Sequence, residues 1–193
     1  MQTSNNLNTS SPARQPFSVR QLTVTGVMTA VTCILAPFSL PIGPVPISLT
    51  NLAIYFSLFV LGMKKGTVSY LVYLLIGFIG VPVFSSFTSG PEKLLGPTGG
   101  YLIGFIFMAI IAGVFIDKFT NNRIITFLGM AAGTIVCYGF GTAWLAYQAH
   151  LSWKQALFAG VIPFILGDAA KMAIAACLGP EIRKQLIRAG LFF

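Results

Sequence analysis

Six apolar stretches divide this chain, at Leu22 to Leu40, Ile47 to Met63, Thr67 to Val83, Gly99 to Ile116, Ile124 to Tyr147 and Ala156 to Leu178. A helix needs about 20 largely apolar residues to cross the hydrocarbon layer, with roughly 17 to 25 tolerated, so each stretch has the length of a span. Only 8% of the residues are charged, against about 25% in an ordinary soluble domain. The predicted fold is an all-α integral membrane protein with six transmembrane helices in a single domain over residues 1–193. Within it, residues 1–20 form an N-terminal tail, 21–180 the bundle and 181–193 a C-terminal tail. The second stretch is short and opens after Pro44 and Pro46, which predicts that part of this connection dips into the protein.

The basic residues orient the bundle. A net charge of +8 could attract nucleic acid, but that would require Lys and Arg gathered on one face, and here they are scattered in ones and twos between apolar runs. No nucleic-acid partner is expected; the lipid bilayer and its anionic headgroups are. Sorted into alternate loops, Arg14, Arg20, Lys64, Lys65, Lys118, Arg123, Arg183, Lys184 and Arg188 fall on one side, and only Lys93 and Lys154 on the other. Lys and Arg accumulate on the cytoplasmic side, so both termini are predicted to be cytoplasmic in a multi-pass plasma-membrane protein. About twenty mostly polar residues precede the first apolar run without a cleavage site, which reads as a tail and not a signal peptide. Trp144, Tyr147, His150 and Trp153 fall at the outer boundary, where amphipathic rings anchor in the interface. Cys33, Cys137 and Cys177 have no metal-like spacing and read as small apolar residues.

Polar chemistry concentrates in the sixth stretch, where Asp168 and Lys171 sit in apolar surroundings. A charged side chain at a helix centre costs about 2.5 to 3.5 kcal/mol on insertion scales, so each must face protein or a water-accessible cavity. Their spacing of three places them on one helical face, as a structural salt bridge or as part of a ligand site. An outer loop, Leu94 to Tyr101, carries Gly96, Gly99 and Gly100 just before a helix start. It reads either as a simple helix start or as a site where N-terminal N–H groups, with Thr98 as cap and donor and Tyr101 as wall, would receive a carbonyl or carboxylate. It lacks the spacing of a phosphate-binding loop. The stiff segment Pro41 to Pro46, leading into Ser48, Thr50 and Asn51, reads as a lid or as a helix breaker. No second membrane carboxylate, nucleophile and base pair, or metal cluster accompanies Asp168, so neither an enzyme nor a bound metal or cofactor is expected.

Four motifs in order carry a resemblance that covers Leu22 to Leu178. They are Pro44-Val45-Pro46-Ile47-Ser48, Gly80-Val81-Pro82-Val83-Phe84, Gly96-Pro97-Thr98-Gly99-Gly100-Tyr101, and Ile162-Pro163-Phe164 with Gly167-Asp168-Ala169-Ala170-Lys171. With them the chain resembles the BioY family, the biotin-binding S components of energy-coupling factor transporters. The resemblance implies a six-helix S-component fold, an outward-facing vitamin site beneath the first and third outer loops, and high-affinity biotin binding and uptake. It also implies partners: one transmembrane coupling subunit and two cytoplasmic ATPases, which would use the ATP. Small residues of the first span would dock on the coupling subunit, and Gly26 and Ala30 fit a small-x-x-x-small pattern. The family often continues Pro-Ile-Thr-Leu-Gln where this chain has Pro46-Ile47-Ser48-Leu49-Thr50-Asn51, which makes Asn51 the candidate replacement for the amide. In the expected site Asp168 accepts a ureido N–H and Lys171 orients it or donates to the ligand. Thr98, Gly99, Gly100 and Tyr101 line the opposite wall, Phe84 and Phe164 pack the ring, and Lys93 meets the carboxylate at the mouth. Transport of another vitamin is the alternative, and a membrane-embedded enzyme a more distant one.

Overall fold

The computed structural model describes residues 19–41 and 43–190; of the expected tail over 1–20, residues 1–18 lie outside that range and Val19 and Arg20 already belong to the first helix, and the last three residues also lie outside it. The described residues are helical apart from one small hairpin and the connecting loops and turns. In order come α1 (Val19–Leu35), β1 (Ser39–Leu40), β2 (Ile47–Ser48), α2 (Thr50–Ile79), a 3-10 turn (Ser85–Phe87), α3 (Pro91–Leu95), α4 (Gly99–Phe119), α5 (Arg123–Gln148), α6 (Trp153–Gly160) and α7 (Ile162–Arg188). Among them α2, α4, α5 and α7 are long and apolar enough to cross a membrane, and α1 is a shorter apolar helix.

The second and third apolar stretches fall together on α2, which is not one straight rod. Gly62 has φ 75° and ψ 173°, a backbone conformation open essentially to glycine alone. A Cβ placed on Gly66 would lie 3.2 Å from Leu58 Cα. Residues that far apart in an unbroken helix are separated by about 12 Å along the axis at roughly 1.5 Å per residue. The chain therefore reverses at Gly62, and the halves 50–61 and 63–79 lie side by side. Asp117 at the end of α4 fixes the reversal: its carboxylate accepts from the Met63 N–H at 2.9 Å and pairs with the buried Arg183 guanidinium of α7 at 2.9 Å. Replacing Gly62 with alanine would force a side chain into this conformation and set its Cβ 3.3 Å from Asp117 Oδ1. We expect a loss of about 1–3 kcal/mol, read as a lowered thermal unfolding midpoint in detergent; an unchanged midpoint would show that the turn relaxes at little cost.

The sixth stretch departs from the expected single helix. It breaks at Val161, with φ −128° and ψ −56°, and α7 restarts with Pro163 in its first turn. Proline has no N–H to donate and is tolerated at a helix start, so the break falls just before it. Residues 153–160 become α6, closed by a Ser152–Gln155 capping box. At its other end α7 continues through Pro180 to Arg188, so most of the region assigned to a C-terminal tail is helical.

Buried tyrosines tie the helices together. Tyr55 of the first half of α2 shares a 2.6 Å hydrogen bond with Thr134 of α5, Tyr70 of the second half donates to Leu102 O of α4 at 2.8 Å, and Tyr101 donates to Gly160 O of α6 at 2.8 Å. Each phenol lets an apolar ring fill the core while its hydroxyl finds an acceptor. Close approach of α4 and α5 depends on small residues: a Cβ at Gly104 would stand 3.0 Å from Cys137 Cα. The Gly62 reversal and the ends of α4 and α7 meet at one end of the bundle. The hairpin, the loop 80–98 and α6 lie at the other. There the first and third connections are zipped, by Ser39 Oγ to Ser86 Oγ at 3.0 Å and by edge-to-face contact of Phe38 with Phe87.

Candidate functional site

A cavity opens inside the bundle below the zipped loops. Pro46 and Ser48 of the hairpin side, Asn51 of α2, Thr98 and Tyr101 at the start of α4, Phe164, Asp168 and Lys171 of α7 are among its walls. Its volume is about 60 Å³, room for several waters. Its floor is charged. Asp168 and Lys171 are 7% and 9% exposed, and Lys171 Nζ lies 3.0 Å from Asp168 Oδ1. The same ammonium donates to Ser48 O at 2.6 Å, which joins α7 to the base of the hairpin. Tyr138 of α5 donates to the other carboxylate oxygen, Oδ2, at 2.6 Å. Two of the roughly four lone-pair sites of the carboxylate are thus used, and acceptor capacity remains.

Thr98 occupies the position before α4, but its backbone is helical (φ −91°, ψ −6°) and its hydroxyl makes no capping bond. A side chain caps from an extended backbone, and Thr98 is not in one. Its Oγ1 is buried on the cavity wall without a hydrogen-bond partner among the described residues. Buried hydroxyls are normally paired, so this one is a donor waiting for a ligand or water.

The cavity brings together Asn51, Thr98, Tyr101, Phe164, Asp168 and Lys171 from the predicted set. Asn51 uses its Oδ1 on the Leu52 N–H at 3.1 Å. Four predicted contacts are absent from its walls, each for a packing reason. Phe84 is fully buried against Tyr73 and fills the gap left by the missing side chain of Gly77. Gly99 turns its Cα toward Leu94 O and Gly100 toward Trp144, so these glycines serve close packing and not the ligand wall. Lys93 lies half-buried on α3, where desolvation pulls its pKa down. Gly26 and Ala30 stand on the exposed face of α1, and a Cβ at Gly26 would meet nothing within 4 Å. Trp144 does more than anchor at the interface, since its indole N–H donates to Gly96 O at 2.9 Å and holds the glycine loop on α5.

Tyr138 was not among the predicted residues. It lies mid-way along an apolar run, and hydropathy gives no sign of which face of α5 meets α7. A lone tyrosine at the depth of the ionic pair in the sixth stretch was the available signal.

Membrane-length helices around a buried, charged cavity mark a multi-pass integral membrane protein with a polar interior. The BioY family model matches residues 6–188, and the chain belongs to the BioY family. It is 36% identical over 166 residues to a biotin transporter BioY of Thermotoga maritima, covering 86% of this chain and 97% of that one. It is 32% identical to the biotin transporter BioY2 of Lactococcus lactis, covering 93% and 98%. A crystal structure of the S-component for biotin from an ECF-type ABC transporter superposes with a TM-score of 0.79 at 32% identity, over 86% of this chain and 92% of that one.

Proposed function

We propose that this protein binds biotin from outside the cell and delivers it inward as the substrate-binding S component of an energy-coupling factor transporter. The observation that carries the reading is the buried Asp168–Lys171 pair at the floor of the cavity. Biotin presents two ureido N–H donors, a ureido carbonyl, an apolar thioether ring and a carboxylate. Asp168 has acceptor capacity for an N–H, Lys171 and the orphan Thr98 hydroxyl are donors, and Phe164, Leu102 and Phe105 supply the apolar slot. Asn51 lies on the same wall. A site of this kind binds and releases; it needs no chemistry on the ligand and no resident cofactor.

The chain crosses the membrane six times in this reading, on α1, the two halves of α2, α4, α5 and α7, with Gly62 as the turn between the second and third crossings. Both termini are cytoplasmic in a plasma-membrane protein. Lys64, Lys65, Lys118 and Arg183 all lie near the end where Asp117 ties the reversal to α7, which agrees with the loop-charge bias. Uphill uptake uses ATP hydrolysed by two cytoplasmic ATPases, coupled through one transmembrane subunit that docks on the exposed small residues Gly26 and Ala30 of α1.

Equilibrium binding of labelled biotin to the detergent-purified protein tests the reading, with riboflavin and thiamine as competitors. We expect saturable biotin binding that neither competitor displaces. A folded protein that ignores biotin, or that prefers another vitamin, would overturn it.

A further inference from the structure

Tyr138 separates two spaces. On one side is the polar cavity; on the other an apolar groove of about 470 Å³ runs along the outer surface between α5, α6 and α7. The groove is edged by Ile135 and Ile165, both largely exposed on membrane-length helices, so it faces hydrocarbon. The two spaces share Thr134, Tyr138 and Asp168. Thr134 is fixed by Tyr55 and by Met130 O, whereas the side chain of Tyr138 is held at its tip by the hydrogen bond to Asp168. An ionised carboxylate bordering lipid needs a cover, because charge in hydrocarbon is costly.

We propose that Tyr138 is a positioning and selectivity residue: its hydroxyl aims Asp168 at the ligand, and its ring is the wall that keeps the ligand cavity apart from the bilayer groove. The wall limits the size of the ring system that meets Asp168, an assignment that rests on the reading that Asp168 receives a ureido N–H. Tyr138→Phe removes the hydroxyl and keeps the wall; Tyr138→Ala removes both.

The test uses the full chain in lipid nanodiscs, with biotin and a biotin alkylated on a ureido nitrogen as probes. For Tyr138→Phe we expect biotin affinity to fall about three- to tenfold and the preference for biotin over the alkylated analogue to fall by no more than that factor, because the analogue lacks the N–H that Asp168 receives. For Tyr138→Ala that preference should shrink at least about tenfold. Equal preference in wild type and Tyr138→Ala would overturn the proposal. A second readout needs no biotin. Cys137 lines the polar cavity and is buried, while Cys33 is partly buried and Cys177 exposed. In a Cys33→Ala/Cys177→Ala background, a bilayer-soluble maleimide should label Cys137 at least about tenfold faster in Tyr138→Ala than in Tyr138→Phe, since only the former joins groove and cavity. Equal labelling would overturn the wall. Faster labelling in a protein that binds no biotin would support the wall and sink the biotin reading alone.

Discussion

Asp168→Asn is expected to weaken biotin binding at least tenfold, about 1.4 kcal/mol, and to lower the thermal midpoint as well, because it breaks the buried pair with Lys171 from one side. The substitution keeps the shape of the side chain and removes its charge. Lys171 takes one carboxylate oxygen and Tyr138 the other, and in the proposed binding mode a ureido N–H completes the set. An amide offers a single acceptor oxygen, so Lys171 and the ligand compete for it. Hydrogen bonds to a charged group contribute about 1.5–3 kcal/mol against 0.5–1.5 for neutral ones, so loss of charge alone accounts for a tenfold effect. Titration of labelled biotin into the variant, alongside its thermal midpoint, decides the matter. Unchanged affinity would return the carboxylate to a purely structural role.

How much of this was legible beforehand follows from what each signal measures. Hydropathy reports solvent preference over about 20 residues, so the apolar stretches emerged with ends close to those of α4 and α5. It does not report where a chain turns inside an apolar run. Lys64 and Lys65 marked a turn between the second and third stretches, but the residue that makes it, Gly62, lies just inside the apolar run before them. Proline suits a helix start, but apolar residues on both sides of Pro163 hid the break at Val161, and the stretch read as one span. Within the site, residues distinguished by cost were readable: a buried carboxylate and ammonium have few reasons to exist in a membrane helix. Residues distinguished by direction were not. Phe84 and Phe164 look alike in sequence, yet Gly77 leaves space for the first ring in the core while the second faces the cavity. The glycines of the loop before α4 suggested ligand approach because glycine permits it, but the same freedom serves packing on Leu94 and Trp144.

Lys171 should carry the largest stability effect, because it joins α7 to the base of the hairpin and neutralises a buried carboxylate. Its ammonium bridges Asp168 of its own helix and Ser48 O at the base of the hairpin, from a side chain only 11% exposed. Lys171→Met keeps the aliphatic bulk and strands a buried carboxylate, and breaking a buried pair from one side costs about 3–5 kcal/mol. Removing the charge from both partners is different: a neutral pair of similar volume is often as stable as the ions it replaces. Asp168→Asn/Lys171→Met should therefore recover most of the thermal midpoint lost by Lys171→Met, with the introduced amide oxygen still an acceptor for Tyr138. Binding should not recover. If the double variant is stable and still binds biotin at least tenfold more weakly than wild type, the pair is retained for the ligand. Wild-type affinity in the stable double variant would mean that the two charges hold the bundle together and nothing more.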